Sequence, residues 1–161
     1  METRNRVRGI AHNKNVAKIT VLGVPDQPGI AAAIFEPLAR AGISVDTIVQ
    51  NSSVERIADV TFTISKEHLQ EALAIVRPVA DSIEAKDCFG SGNLGNVSIV
   101  GTGMQHYPGY ASLMFRSLFE AGVNIEMITT SEIRITCIVS DDKVEDAVRA
   151  LHKAFQLDKA K

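Results

Sequence analysis

An internal repeat is the feature of this sequence that most limits the folds open to it. Shifted by 80 residues, the chain aligns with itself at Pro28-Gly29 with Pro108-Gly109 and at Ala41-Gly42 with Ala121-Gly122. Further aligned pairs are Ile19 with Ile99, Gly23 with Gly103, Phe35 with Phe115, Leu38 with Leu118 and Ile48 with Ile128. Beyond them the best offset falls to 75, and the five-residue difference lies in the polar stretch 51–56. A repeat that changes length only in a predicted turn indicates a duplicated fold.

Each copy predicts elements in the order β-α-β-β-α. In the first copy we predict strands at residues 16–24, 43–50 and 57–65, and a closing strand at 83–89. A helix that Pro28-Gly29 opens and Gly42 ends follows the first strand. Its apolar face consists of Ile30, Ile34, Leu38 and Ala41. A second helix has its apolar face at Leu69, Ala72, Leu73 and Val76. Pro37 stands inside the first helix, where it is expected to kink the helix or to cost about 3 kcal/mol.

The second copy repeats this pattern but runs out of chain. We predict its later strands at residues 123–130 and 133–140, and its helical faces at Tyr110, Met114, Leu118 and Ala121 and at Val144, Ala147, Val148 and Leu151. Residues 156–161 are too few and too charged for a buried fourth strand. Residues 6–12 precede the first copy and have no place in it. We therefore predict that this segment supplies the missing strand, with residues 7–11 pairing with 97–101.

The sequence thus predicts an α+β fold of two tandem ferredoxin-like βαββαβ units, the second completed by the N-terminal strand. The predicted domains are residues 14–91, and residues 94–158 together with 6–12. Units of about 75 residues bury only about 60% of their unfolded surface. Because such units also have exposed edge strands, we expect the chain to form a homodimer.

Composition excludes several classes of protein. The net charge is −2 with acidic and basic residues interspersed, which does not favour nucleic acid as a partner. No apolar run approaches the roughly 20 residues that cross a bilayer, and no signal peptide is recognised at the N-terminus. The two cysteines, Cys88 and Cys137, are interpreted as reduced thiols of a cytoplasmic protein. An RNA-binding module would need surface aromatic side chains on its central strands, and the solvent-facing positions of these predicted strands carry none.

Motifs for catalysis or cofactors are weak. Residues 90–95 match G-x-G-x-x-G, but a dinucleotide fingerprint must lead into a helix and this one leads into a predicted strand. We interpret it as the linker between the units. The four histidines, His12, His68, His106 and His152, have no metal-site spacing. We expect no catalytic residues, no metal site and no cofactor, so the chain alone is not predicted to be an enzyme.

The segment between the first strand and the first helix indicates a binding site. Backbone N–H groups at a helix N-terminus lack internal partners and attract an anion. Gly29 and the small Ala31 would let a ligand approach that backbone, and Asp26 would offer a carboxylate to an ammonium group. An anion site beside a cation site fits a free α-amino acid. The alternative is that Asp26 caps the helix, and the two roles are compatible.

Four segments carry a family resemblance: GVPDQPGIAAAIF, IVQNSS, NIEMITTSEIRI and ALHKAFQLD. They resemble the regulatory region of aspartate kinase, the lysine- and threonine-sensitive type, which is built from two ACT domains. The resemblance covers about residues 7–158, and TTSEIRI after NIEMI is its most specific part. In that family the region is either the C-terminal part of a full kinase or a separate small subunit. The resemblance implies an allosteric regulatory subunit that binds threonine, lysine or both for feedback inhibition, with a catalytic aspartate kinase subunit as partner. That kinase phosphorylates aspartate with ATP, and none of its catalytic machinery is expected in this chain.

The resemblance also implies where effectors bind, namely between the first unit of one chain and the second unit of its partner. The implied site consists of Asp26, Gly29, Ile30, Ala31 and Gln50, with Asn124 and Ile125 from the partner. Ser131 and Glu132 are candidates for a second, lysine-binding site. His106 stands at the place of Asp26 in the second copy, which weakens any equivalent ammonium site there.

Two other functions stay open at this point. A free-standing ACT-domain sensor could act on an enzyme other than a kinase. A small enzyme on the same fold, such as an acyl-phosphate hydrolase, would need an arginine beside a phosphate-binding loop, and the Pro-Gly turns carry none.

Overall fold

The computed structural model describes residues 6–157, which form six strands and four helices in the order β-α-β-β-α-β-α-β-β-α. The strands are β1 (Val7–Pro25), β2 (Ile48–Ser52), β3 (Ile57–Ile64), β4 (Asp87–Gly101), β5 (Met127–Thr130) and β6 (Arg134–Ser140). The helices are α1 (Ile30–Arg40), α2 (Leu69–Ser82), α3 (Tyr110–Glu120) and α4 (Val144–Ala154).

The described chain divides into two compact units. The first unit is Val16–Gly92, and the second combines residues 6–15 with residues 93–157. Strands β1 and β4 each belong to both units, with one part of the strand in the first unit and the other part in the second. Strand order is β2-β3-β1-β4 in the first unit and β1-β4-β6-β5 in the second. The prediction of two ferredoxin-like units, the second completed by the N-terminal strand, is confirmed, whereas the exact domain bounds stay a prediction.

The N-terminal strand lies close against β4 in the second unit. A Cβ built on Gly101 would stand 2.1 Å from the carbonyl oxygen of Arg6, and one built on Gly95 would stand 2.7 Å from that of Asn13. Val7 is only 2% exposed and belongs to the core of the second unit. The segment that had no place in the first copy is therefore part of the second fold.

The pairing of strands corrects the alignment of the two copies. Thr20 Oγ1 and Thr61 Oγ1 lie 3.2 Å apart in the first unit, and Ser98 Oγ and Thr136 Oγ1 lie 2.7 Å apart in the second. Thr20 therefore corresponds to Ser98, so the sequence alignment of Ile19 with Ile99 was wrong by two residues. A shift of two preserves the in-out alternation of a strand, which is why the apolar pattern could not detect it. The two extra residues lie before α3, where Met104–His106 forms a 3-10 turn.

Both α1 and α3 end in the same hydrogen-bonded turn. Gly42 has φ 76°, its N–H donates to the Ala39 carbonyl at 3.0 Å, and Ile43 N–H donates to the Leu38 carbonyl at 3.0 Å. This is a Schellman motif, in which the residue after glycine packs back on the helix. Gly122 and Val123 repeat these bonds after α3.

The Schellman turns explain why two predicted strands begin too early. Ile43 and Val123 are 3% and 4% exposed because each turn folds them onto the core, not because they lie in a sheet. The strand predicted at 43–50 is β2 (Ile48–Ser52), and that predicted at 123–130 is β5 (Met127–Thr130). Apolar character alone could not separate these two causes of burial.

Three other boundaries differ from the prediction. Residues 6–12 and 16–24 belong to one uninterrupted strand, β1. Residues 90–95, predicted to be a linker, lie inside β4. This strand begins at Asp87, whereas the closing strand of the first copy was predicted to begin at residue 83. Ile83 is the C-cap of α2, where its N–H donates to the Val79 carbonyl at 3.0 Å. Helix α1 continues past Pro37 to Arg40.

Each unit has its own core between its helices and its strands. In the first unit the fully buried side chains include Ile34 and Leu38 of α1 and Phe62 of β3, and the rings of Phe35 and Phe62 meet edge to face at 5.1 Å. In the second unit the predicted faces supply Met114, Leu118, Val144, Ala147 and Leu151. The predicted helical faces therefore point into the two cores, except at Ala41, which follows α1 as its C-cap and is exposed.

The two cysteines are free and differ in burial. Burial raises the pKa of the Cys137 thiol to about 12. Burial also raises the pKa of the half-buried Cys88, against the opposing charge of Arg77. Because the thiolate is the reactive form, we expect Cys88 to react with a disulfide reagent at pH 8 and faster as pH rises, and Cys137 to react only after unfolding. The measurement is the number of thiols titrated in native and denatured protein.

The matched control for this prediction is Cys88→Ser. Native Cys88→Ser should show no reactive thiol, whereas Cys137→Ser should react like the parent. A native parent protein in which Cys137 reacts first would contradict the burial described here.

Candidate functional site

The segment between β1 and α1 is held at both ends. Asp26 follows the last residue of β1, and its N–H donates to the Arg56 carbonyl at 2.9 Å. The segment ends at Gly29, the N-cap of α1, which has φ 92° in the left-handed region. No side chain among the described residues caps this helix, so the alternative that Asp26 serves as its cap is wrong. The Asp26 carboxylate is exposed instead.

The N-terminus of α1 offers backbone donors to a ligand. Ile30 N–H donates to the Gln27 carbonyl at 3.4 Å and Ala33 N–H to the Gly29 carbonyl at 3.0 Å. The N–H groups of Ala31 and Ala32 lie between them in the first turn, where a helix supplies no acceptor. A Cβ on Gly29 would meet no atom within 4 Å, so the approach to this turn is open. The first turn can therefore bind a carboxylate.

Gln50 lies at the same end of the first unit. It pairs with Val60, whose side chain is 1% exposed in the core beneath the helices. Residues directly opposite in an antiparallel pair project to the same face, so Gln50 points to the helix side of the sheet. Strands β1 and β2 both run antiparallel to β3 and hence parallel to each other. The end of β2 therefore lies at the same edge of the sheet as the end of β1, where α1 begins, with β3 between the two strands.

The structure thus brings five of the predicted effector residues to one end and one face of the first unit. They are Asp26, Gly29, Ile30, Ala31 and Gln50. Ile30 is half-buried against the core, and Gln50 is exposed.

The other candidates lie in the second unit. Asn124 and Ile125 follow the Schellman turn of α3, and the Asn124 amide Nδ2 donates to Glu126 Oε1 at 3.4 Å. Ile125 packs on the core of the second unit. Ser131 and Glu132 are exposed in the turn between β5 and β6, where Ser131 N–H donates to the Arg134 carbonyl at 2.7 Å.

The counterpart of the Asp26 segment in the second unit has a different chemistry. His106 ends the 3-10 turn Met104–His106, and α3 begins after Gly109, which has φ 110° and carries no side-chain cap. A pocket of about 520 Å³ opens there, lined by Tyr107, Pro108, Gly109, Tyr110, Leu113, Ala154, Phe155 and Gln156. Arg6 stacks 4.6 Å over the Tyr107 ring and donates to its hydroxyl at 2.6 Å.

Sequence reasoning missed this aromatic pocket. The signal was present, since Tyr107 and Tyr110 stand at the repeat positions of Gln27 and Ile30. The repeat indicates what the two copies share, whereas this pocket arises from a difference between them.

The described residues show neither a cluster of metal-binding side chains nor a helix that could span a membrane. Residues 6–157 contain no group of three or more His, Cys, Asp or Glu side chains placed to hold a metal ion. None of the helices in this range is long and apolar enough to cross a membrane.

Comparison with known protein families and relatives gives a consistent result. A model described as the ACT domain matches residues 18–81, and a second ACT-domain model matches residues 97–155. The chain is 44% identical over 152 residues to the aspartokinase of Pseudomonas aeruginosa, covering 94% of this chain and 37% of that protein. The aspartokinase of Thermus thermophilus is 42% identical over 165 residues, covering 99% of this chain and 40% of that protein. The chain therefore spans less than half the length of these relatives.

Two solved structures match over almost their whole length. The regulatory subunit of aspartate kinase from Thermus thermophilus, in its ligand-free form, is 41% identical with a TM-score of 0.86 and covers 93% of this chain and 99% of that one. A chain in a crystal structure of aspartokinase alpha and beta subunits is 43% identical with a TM-score of 0.85 and the same coverage.

Proposed function

This chain belongs to the aspartate kinase family as its regulatory part of two ACT domains, and we propose that it is an allosteric subunit that binds threonine or lysine for feedback inhibition. The observation that carries the proposal is the first unit's uncapped helix N-terminus, with the exposed carboxylate of Asp26 and the polar side chain of Gln50 on β2 at the same end of the unit. In this proposal the ligand's α-carboxylate accepts N–H bonds from the turn at Gly29–Ala31. Its ammonium faces Asp26, and Gln50 reaches its remaining polar groups.

Threonine fits this arrangement better than lysine. Its short side chain ends in a hydroxyl, which an amide such as that of Gln50 can bind. A lysine tail needs more room and a second acid, and Glu132 in the second unit is the candidate. Isothermal titration of the chain with each amino acid tests this order. We expect threonine to bind and lysine to bind more weakly. Binding of neither at millimolar concentration would contradict the proposed function.

A catalytic aspartate kinase subunit is the proposed partner. The relative solved as aspartokinase alpha and beta subunits supports this choice over a sensor that serves another enzyme. The test is co-purification with a catalytic subunit of the same organism, followed by an assay of aspartate phosphorylation. We expect threonine to inhibit the assembled complex and to leave the isolated catalytic subunit unaffected.

A homodimer is proposed from the apolar edges of both units. Ile48 on β2 and Ile128 on β5 are 52% and 44% exposed, at matching positions of the repeat. A groove of about 460 Å³ beside Ile48 is lined by Phe35, Ala39, Gly42, Ile43, Ser44 and Val45. Apolar edge strands favour association with a second chain. In the dimer, the partner's Asn124 and Ile125 would complete the effector site.

We expect light scattering at micromolar concentration to give the mass of a dimer. Ile48→Glu should shift the chain toward monomer, because it places a charge in the proposed interface. Val54→Glu is the control, since Val54 is fully exposed at a hairpin tip and outside the β2 edge. A parent chain that is monomeric with and without threonine would contradict the dimer.

A further inference from the structure

We infer that Asp59 is a positioning residue for the effector site, because its carboxylate holds the bulge of β1 that lies just before the Asp26 turn. The inference rests on the proposed function, since it concerns the geometry of that site. It names a residue on β3 that belongs to none of the effector contacts described above.

The bulge lies just before the effector turn. The register of β1 against β3 shifts between Val21, which pairs with Val60, and Val24, which pairs with Ala58. Two residues of β1, Leu22 and Gly23, therefore stand opposite the single residue Asp59. Gly23 has φ 64°, a left-handed conformation that glycine adopts without the steric cost of a Cβ. The bulge re-aims the chain three residues before Asp26.

The Asp59 carboxylate supplies the bond that the bulge removes from the strand ladder. Its Oδ1 accepts a hydrogen bond from Gly23 N–H at 2.9 Å. Asp59 is held in turn, because its own N–H donates to Asn51 Oδ1 at 3.0 Å. Asn51 directly follows Gln50 on β2. Two hydrogen bonds thus link the strand that carries Gln50 to the strand that leads to Asp26.

The second unit has no equivalent of this link over its described strand pairs. Arg134 stands at the repeat position of Asp59, and it pairs with Val100 without a register shift. Gly101 N–H donates to the Ile133 carbonyl at 2.8 Å, so the backbone itself satisfies the donor there. The acid that supports the bulge is therefore found in the unit that carries Asp26, and is replaced in the unit that carries His106.

If Asp59 had only a structural role, its replacement would lower stability and leave the threonine affinity of the folded chain unchanged, so affinity is measured on folded protein. Asp59→Ala removes the acceptor, Asp59→Asn keeps an oxygen in the same place, and Arg134→Ala is the matched control in the second unit. The full chain of each variant is titrated with threonine at a temperature where circular dichroism shows it folded. Amide hydrogen exchange at Asp26 is measured without ligand.

We expect Asp59→Ala to bind threonine about 10-fold more weakly than the parent. Asp59→Asn and Arg134→Ala should stay within about 2-fold of it. Exchange at the Asp26 amide should accelerate in Asp59→Ala only. Parent-like threonine affinity in folded Asp59→Ala would overturn the inference, and so would equal weakening in Asp59→Asn.

The exchange measurement separates this inference from the proposed function. If the parent binds no threonine, the proposed effector is wrong. In that case, faster Asp26 exchange in Asp59→Ala with normal exchange in Asp59→Asn would still support positioning of the turn, and unchanged exchange would overturn it.

Discussion

Replacing Gly101 by alanine is expected to lower the free energy of unfolding by about 3 kcal/mol, the upper range for forcing atoms into a filled space. The added Cβ would stand 2.1 Å from the Arg6 carbonyl oxygen and 3.2 Å from Val7 Cα. Both contacts are with backbone, which cannot rotate away as a side chain can. The N-terminal strand must therefore move off β4, and Val7 must leave the core of the second unit. Urea unfolding followed by circular dichroism measures the effect.

Gly9→Ala is the matched control, because Gly9 lies in β1 and a Cβ there would meet no atom within 4 Å. Its effect should stay within about 0.5 kcal/mol, as for ordinary surface substitutions. Equal urea midpoints for the two variants would contradict the packing of the N-terminal strand on β4. A chain that begins at residue 14 should lose the same interaction and unfold its second unit more readily than its first.

The fold could be predicted from the sequence because the strongest signals in the sequence are local and appear in both copies of the repeat. Gly42 and Gly122 end α1 and α3 as the repeat requires, and both adopt a positive φ. The N-terminal strand could be placed by elimination, since one unit lacked a strand and residues 6–12 lacked a unit. Such reasoning needs element types and counts, which periodicity provides.

Strand register and strand ends could not be predicted in the same way. Thr20 corresponds to Ser98, which is two residues away from its partner in the sequence alignment. A shift of two keeps inward-facing residues inward, so the apolar pattern does not reveal it. Ile43 is buried by a helix-ending turn that periodicity cannot distinguish from a strand. Residues 90–95 contain three glycines, which favour a linker by local preference. Tertiary pairing makes them strand instead.

The candidate site was predictable where it depends on one stretch of chain. Asp26 and Gly29 to Ala31 are adjacent in sequence, and the chemistry of a helix N-terminus follows from that stretch alone. The cap assigned to Asp26 as an alternative was wrong because Gly29 enters the helix in a left-handed conformation, with no side chain bonded to the first turn. The Asp59 link to Gly23 depends on a bulge, which only the paired strands reveal.

Asp26→Ala is expected to weaken threonine binding by about 10- to 150-fold, the equivalent of one charge-assisted hydrogen bond of about 1.5–3 kcal/mol. The carboxylate is the proposed partner of the ligand's ammonium, and removing it leaves that charge without a counter-ion. Asp26→Asn should lose somewhat less, because its amide oxygen can still accept a hydrogen bond from the ammonium. Folding should be little affected, since Asp26 is exposed and its structural bond to Arg56 uses the backbone N–H.

His106→Ala is the matched control, because His106 stands at the position of Asp26 in the second unit and an imidazole carries no negative charge to pair with an ammonium group. Its effect on threonine affinity should be much smaller.

Calorimetric titration of the parent, Asp26→Ala and His106→Ala with threonine tests most directly whether the first unit is the amino-acid sensor. The site proposed here predicts tight binding by the parent and by His106→Ala, and strongly weakened binding by Asp26→Ala. Parent-like binding by Asp26→Ala together with loss of binding by His106→Ala would contradict it, since the effector would then bind in the second unit.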